Sequence, residues 1–192
     1  MVEQGRLLIK NAHPASVLPV AGAPTPGYKP KPGVRPLSPT ELKDLNLRYK
    51  RRVSAADANS FTDTDLTGKW SGPFSGRGVI LEVETVDTVR LIRLGVEGKW
   101  KQGQFYARLQ DIKGMTGEEI RKYLNLDFTP TQFQHVTIPA GQRLFVGTVG
   151  PQPGHIPPHP FDGGLQFQIK LPKEERINKP KWFDEWQPLE EL

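Results

Sequence analysis

Apolar and polar residues alternate most clearly between Gln132 and Ile169, and this alternation predicts the sheet on which the chain is built. The segment reads as a strand, a tight Pro-Ala-Gly-Gln turn, a second strand, a long loop of glycine, proline and histidine, and a final strand. Side chains alternate between the two faces of a strand, so Gln166 and Gln168 are expected to share one face of the final strand.

Further β-branched runs occupy Val79 to Val86 and Thr88 to Leu94, and they predict a hairpin or a bent pair of strands. Arg90 and Arg93 fall on opposite faces by the two-residue period of a strand. Arg93 leads into a glycine-containing turn and is therefore predicted to point inward, with Arg90 in solvent. A short aromatic strand is expected between Gly103 and Arg108.

Two capping signals predict helices. Ser38 to Glu41 combines an N-cap serine, a proline and a glutamate, and the helix it opens is expected to extend to about Ser54. Thr116 to Glu119 is a second capping box, which opens a short helix. The whole pattern predicts an α+β fold, with a compact, strongly bent antiparallel sheet of five to seven strands and a few short helices.

The N-terminal part has a different composition. Prolines recur every few residues, which predicts a proline-rich extended linker over residues 1–37, a spacer rather than a docking peptide. The domain then spans residues 38–192, with its core at 78–171. The aromatic C-terminal tail is expected to lie as a strap across the domain, or to become ordered on binding a partner.

Charge and composition narrow the classes of partner. The formal net charge is +5, which favours nucleic acid, a phosphorylated small molecule or an acidic protein. The chain has no cysteine, and no apolar run is long enough to predict a membrane span. The histidines of His155 to His159 are separated by Pro-Pro, so a rigid loop is predicted there rather than a metal site.

Six short motifs follow one another between residues 85 and 171. In chain order they are Ile92-Arg93-Leu94-Gly95, Gly103-Gln104-Phe105-Tyr106, Lys122 to Leu126, Phe133 to Val136, Gly147 to Gln152, and Asp162 to Gln166. In this order they resemble the NAD(P) glycohydrolase toxin domains of the tuberculosis necrotizing toxin type, within the ADP-ribosyltransferase-like C-terminal toxin domains of bacterial polymorphic toxins. The chain departs from that pattern at Leu94, at Asp162 and in an insertion that carries His155 and His159.

The resemblance implies hydrolysis of the nicotinamide–ribose bond of NAD or NADP, which would be substrates rather than cofactors. It implies a catalytic set in which Arg93 binds phosphate, Gln166 holds the ribose or orients water, and His135 contacts phosphate or ribose. The implied substrate-binding set consists of Phe105, Tyr106, Gly163, Gly164, Gln168 and Arg143. The implied biology is an effector in interbacterial competition, secreted or delivered into a target cell and acting in its cytosol, with a cognate immunity or inhibitor protein as partner.

Three other functions fit the same residues. A metal-independent RNase toxin would use His135, Thr137, Arg143 and Lys170 around a scissile phosphate of RNA. A protein ADP-ribosyltransferase and a non-catalytic interaction module are the others. The NAD(P) hypothesis requires Arg93, His135 and Gln166 to converge on one cleft.

Overall fold

The computed structural model describes residues 35–60, 73–98, 105–152, 154–156, 158–159, 161–171 and 180–192. Most of the predicted linker, residues 1–34, lies outside the described residues. Within these ranges the α-helices are α1 (Pro39–Asp44), α2 (Ala55–Asn59), α3 (Leu109–Ile112) and α4 (Gly117–Tyr123). The strands are β1 (Leu47–Val53), β2 (Ile80–Thr85), β3 (Val89–Gly95), β4 (Phe105–Tyr106), β5 (Gln132–Ile138), β6 (Arg143–Thr148), β7 (Leu165–Ile169) and β8 (Gln187–Pro188). Two 3-10 turns, Pro180–Trp182 and Leu189–Glu191, complete the C-terminal segment.

The strands form two antiparallel sheets that meet at one edge. The five-stranded sheet has the order β1-β2-β6-β7-β4, and the three-stranded sheet has the order β3-β5-β8. Ile92 of β3 and Ala107, just after β4, exchange backbone hydrogen bonds of 2.8 and 2.9 Å and join the two sheets. The predicted α+β fold with a bent antiparallel sheet is confirmed, although the described residues contain eight strands rather than five to seven.

The largest apolar cluster lies between the two sheets, and the side chains that line it define the inner face of each sheet. Val83, Val146 and Phe167 contribute from the five-stranded sheet, and Leu91 and Val136 contribute from the three-stranded sheet. Two smaller clusters cover the opposite, outer faces. In the first, α3 and α4 pack against the three-stranded sheet, and its members are Ile92, Ala107, Ile112, Ile120, Leu124, Phe133 and Val149. In the second, Phe74 packs against the five-stranded sheet, and its members are Ala58, Phe74, Ile80 and Phe145.

The long helix predicted from Ser38 to about Ser54 is wrong. The capping box at Ser38 forms as predicted, but the helix ends at Asp44 and Asn46 turns the chain with a φ of 56°. Asparagine tolerates this left-handed conformation better than most residues do. The following residues form β1, because pairing with β2 satisfies their backbone groups, and this long-range pairing outweighs local helix propensity.

Two other predictions about elements have opposite outcomes. The hairpin predicted from the two β-branched runs is wrong: β2 pairs with β1 and β6, whereas β3 pairs with β5. The strap is confirmed for residues 180–192, where β8 pairs with β5 and Phe183 bridges Val136. Among the described residues, no helix has the length and apolar character needed to cross a membrane.

Candidate functional site

The residues predicted to form one cleft occupy both faces of the bent sheet. Arg93 is opposite Gln134 across β3 and β5, and Ile92 is opposite His135. Directly opposed residues share a face and consecutive residues alternate, so Arg93 lies on the inner face and His135 on the outer face. Gln166 alternates with the core residues Leu165 and Phe167, which places it on the outer face of the other sheet.

Arg93 is the most unusual charged residue of the inner face. It is only 6% exposed, yet its Nε and Nη2 atoms are buried without a hydrogen-bond partner. Its guanidinium carbon lies 5.4 Å from the ring centroid of Phe183 and 5.4 Å from that of Trp186. No carboxylate pairs with this guanidinium among the described residues, and its charge lies instead against the two aromatic rings.

Gln134 and Tyr106 extend this polar cluster, which we call the Arg93 site. The Gln134 Nε2 donates a hydrogen bond of 2.5 Å to the carbonyl of Asp184, while its Oε1 is buried without a partner. An amide oxygen fixed in this way is an unused acceptor beside an arginine with unused donors. The Arg93 site therefore consists of Arg93, Tyr106, Gln134, Phe183 and Trp186.

Burial dominates the electrostatics of the Arg93 site. Burial lowers the pKa of Arg93 below its ordinary value, and nearby Tyr106 opposes that shift in part. Burial also raises the pKa of Tyr106 to about 12, although the charge of Arg93 acts against it. Tyr106 is consequently a neutral hydroxyl at physiological pH, and the guanidinium is the source of positive charge in the site.

Gly95 determines how closely the C-terminal segment approaches. A Cβ atom at Gly95 would lie 2.5 Å from Cη2 and 2.6 Å from Cζ3 of Trp186, so only glycine allows the indole to pack here. Sequence reasoning did not find Gln134, Phe183 or Trp186 as site residues. The available signals were an aromatic tail of unassigned position and a second glutamine on the histidine-bearing strand.

Gln166 and Gln168 share the outer face, as predicted, but neither reaches Arg93. The Gln166 Nε2 donates a 2.6 Å hydrogen bond to the carbonyl of Pro73. Gln168 is fully buried, and both of its amide atoms lack a hydrogen-bond partner. Phe105 and Phe145 are the cross-strand neighbours of Gln168 on this face.

Gly163 and Gly164 were predicted to let the main chain approach a ligand, but they accommodate the protein's own Tyr123. A Cβ atom at Gly164 would overlap the Tyr123 ring, and one at Gly163 would lie 2.7 Å from the Tyr123 carbonyl oxygen. The Gly164 amide also donates a hydrogen bond to that carbonyl. These contacts explain the glycine pair without a ligand.

Arg143 belongs to an ion-pair cluster on the outer face. The side chain of Glu82 is 1% exposed and accepts from Arg51 Nε at 2.6 Å, Arg143 Nη1 at 3.0 Å and Lys170 Nζ at 3.0 Å. Burial acts to raise the pKa of Glu82, but the hydrogen bonds from Arg51 and Lys170 outweigh it and the pKa is lowered. Arg143 therefore neutralises a structural carboxylate.

His135 forms a third, separate environment. Its ring lies 5.5 Å from that of Phe133 in an edge-to-face arrangement, and its Nδ1 is buried without a hydrogen-bond partner. Burial lowers the pKa of His135, and the charge of Arg90 lowers it further. His135 is thus a neutral imidazole at physiological pH.

The predicted convergence of Arg93, His135 and Gln166 on one cleft is wrong, because long-range strand pairing places them on different faces. Within the predicted set, the structure brings Arg93 together with Tyr106 on the inner face and Phe105 together with Gln168 on the outer face. The inward orientation of Arg93 and the exposure of Arg90 are confirmed. The nuclease set is divided as well, since Lys170 contacts Glu82 in one sheet whereas His135 lies in the other.

The two histidines of the loop insertion lie close together. The rings of His155 and His159 are 6.0 Å apart, and His159 Nε2 lies 3.1 Å from Arg121 Nη1. Within the described ranges, no three histidine or carboxylate side chains form a group that could hold a metal ion.

The described part of the chain is thus an α+β domain with a buried, uncompensated arginine between its sheets. No protein-family model matches the chain, and no curated protein or solved structure matches it either.

Proposed function

We propose that the chain binds NAD or NADP at the Arg93 site and hydrolyses the bond between nicotinamide and ribose. The observation that carries this proposal is the buried Arg93 guanidinium, which has unused donors and no carboxylate partner among the described residues. A permanently charged donor fork in such surroundings is suited to bidentate binding of a phosphate group. A bound pyrophosphate would satisfy these donors and neutralise the charge.

The neighbours of Arg93 suit the other parts of a dinucleotide. Phe183 and Trp186 offer aromatic surfaces beside the phosphate-binding group, on which nicotinamide or adenine could stack. The neutral Tyr106 hydroxyl can donate a hydrogen bond to phosphate or ribose. These groups bind the ligand without taking part in proton transfer.

Gln134 replaces Gln166 as the residue beside the reacting carbon. As the glycosidic bond breaks, nicotinamide leaves with the electron pair and its ring nitrogen becomes neutral, while positive charge develops on the ribose. The unpartnered Oε1 of Gln134 can stabilise that charge and accept a hydrogen bond from the attacking water. The water oxygen bonds to the anomeric carbon and its proton passes to solvent, so the step requires no carboxylate base.

The test measures nicotinamide release from NAD and from NADP with the full chain. Gln134→Leu is expected to reduce release by about a hundredfold or more, as for loss of one transition-state contact. Gln166→Leu is the matched control, because it removes the same amide from the outer face, and it is expected to retain release. Thermal unfolding of both variants establishes that each is folded.

Two results would contradict the proposal. Absence of nicotinamide release at micromolar concentrations of folded protein would show that the chain lacks the proposed hydrolase activity. Loss of release in Gln166→Leu but not in Gln134→Leu would move the site to the outer face. Fragmentation of total RNA under the same conditions would favour the ribonuclease instead.

A further inference from the structure

Strand β1 forms one edge of the five-stranded sheet. It pairs with β2 on one side, and among the described residues no strand pairs with its other side. The strand carries four cations, Arg48 and the run Lys50 to Arg52, and Tyr49 between them is 51% exposed. A free edge presents backbone donors and acceptors on which a further strand can form.

An open apolar groove of about 890 Å³ runs beside this edge. Helix α1 contributes Leu42, β1 contributes Tyr49, β2 contributes Leu81, and Val79 directly precedes β2. The basic residues Lys43 and Arg52 also line the groove. The groove therefore combines an apolar floor with positive charge.

The register of β1 determines which side chains flank an added strand. Tyr49 is opposite the core residue Val83 and points to the inner face, where the groove lies. Arg48 and Arg51 are opposite Glu84 and Glu82 and point to the outer face. A strand added to this edge would thus place alternate residues against the apolar groove and beside the arginines.

We propose that the β1 edge binds an extended segment of a partner protein in which acidic and apolar residues alternate. The apolar residues would fill the groove. The acidic residues would lie on the outer face, where, among the described residues, Arg48, Lys50, Arg51, Arg143 and Lys170 share only the carboxylates of Glu82 and Glu84 and leave an excess of positive charge. A second copy of this chain is a poorer occupant, since pairing β1 with itself brings like charges together. Nucleic acid would use the cations but would leave the strand edge and the apolar groove unused.

The test uses the full chain and a fluorescent peptide that alternates glutamate with valine, with binding followed by anisotropy. The peptide is expected to bind, and a peptide alternating lysine with valine is not. An N-methylated form of the acidic peptide keeps its charges but cannot extend the sheet, and it is expected to bind at least about tenfold more weakly. Amide exchange in residues 47–53 should slow when the acidic peptide is bound.

Single substitutions identify the surface. Arg52→Glu and Tyr49→Ser are each expected to weaken binding by about threefold to tenfold, because both residues are exposed and line the groove. Lys113→Glu is the charge-matched control, since Lys113 follows α3 and does not line the groove, and its affinity should be unchanged. Thermal unfolding shows that each variant is folded.

Several outcomes would overturn the proposal. These are equal binding of the N-methylated peptide, unchanged affinity in both groove variants, or binding of polyuridylate but not of the acidic peptide. Competition by a synthetic peptide of residues 1–34 would assign the groove to the chain's own N-terminal segment. Dimerisation that is seen by light scattering and abolished by Arg52→Glu would assign the groove to a second copy of the chain.

Discussion

Arg93 and Gln134 are directly opposed on β3 and β5, and each keeps buried polar atoms without a hydrogen-bond partner. Burying a charged group and an amide oxygen in this way costs free energy of folding. A fold that retains such a pair gives up stability at the position where, on our proposal, a ligand binds.

The first prediction is that Arg93→Met stabilises the domain. Methionine fills a similar volume and removes the desolvation cost of an uncompensated charge, so the free energy of unfolding should rise by about 1–3 kcal/mol. Urea unfolding measures the change. The same variant should lose dinucleotide binding, because the phosphate-binding group is gone.

The control for this variant is Arg90→Met on the same strand. Arg90 is exposed on the other face and pairs with Asp184 at 3.2 Å, a surface ion pair worth at most about 1 kcal/mol. Its stability should change little and its ligand binding should remain. A destabilised Arg93→Met variant would show that the guanidinium contributes to folding rather than to binding.

The second prediction is that inorganic pyrophosphate stabilises the wild-type chain through Arg93. A ligand that binds only the folded state at a hundred times its dissociation constant adds about 2.7 kcal/mol to the free energy of unfolding. The midpoint of thermal unfolding should rise with pyrophosphate in the wild-type protein and in Arg90→Met. An equal rise in Arg93→Met would place the anion elsewhere.

The third prediction is that Gly95→Ala releases the C-terminal segment. The added methyl group would collide with the rigid indole of Trp186, which costs about 1–3 kcal/mol or displaces the ring. Compared with the wild-type protein, amide exchange in Gly95→Ala should accelerate more in residues 180–192 than in the rest of the described chain. Gly98→Ala, where φ is +69° and no atom would lie within 4 Å of the new Cβ, should strain only its own turn.

Local sequence pattern predicted which face each residue of a strand would occupy. The two-residue period correctly separated Arg93 from Arg90 and kept Gln166 with Gln168, and the capping boxes at Ser38 and Thr116 both form. These features depend on residues within a few positions of one another. They are therefore readable without knowledge of the tertiary structure.

Sequence pattern could not predict which faces meet, because that depends on pairing between distant strands. The opposition of Arg93 and Gln134, which are 41 residues apart in sequence, follows from the register of β3 against β5. The contact with Trp186 follows from docking of the C-terminal segment. The same cause explains the failed helix, since β1 is fixed by its pairing with β2. Tertiary contacts here outweigh local propensity.

The fourth prediction concerns the carboxylate of Glu82. Glu82→Gln keeps the shape of the side chain but leaves three cations around a buried neutral amide, so the free energy of unfolding should fall by about 1–4 kcal/mol. Urea unfolding measures the loss. Glu84→Gln is the control, because the side chain of Glu84 is 20% exposed whereas that of Glu82 is 1% exposed, and it should lose less than about 1 kcal/mol.

The fifth prediction is that the domain loses stability as pH falls below 6.5, the ordinary pKa of histidine. Burial, reinforced by Arg90, lowers the pKa of His135, with Asp184 opposing the shift, and burial lowers the pKa of His155 as well. In this range the unfolded chain binds more protons than the folded chain, so stability declines with falling pH until the lowered folded-state pKa values are passed. The carboxylates of Glu41 and Glu118, whose pKa values are lowered to about 2, contribute only below their ordinary value of 4.5.

The urea midpoint should therefore decline between about pH 7.5 and about pH 5.5, and His135→Asn should reduce the slope of the midpoint against pH. An unchanged slope in that variant and in His155→Asn would contradict this assignment.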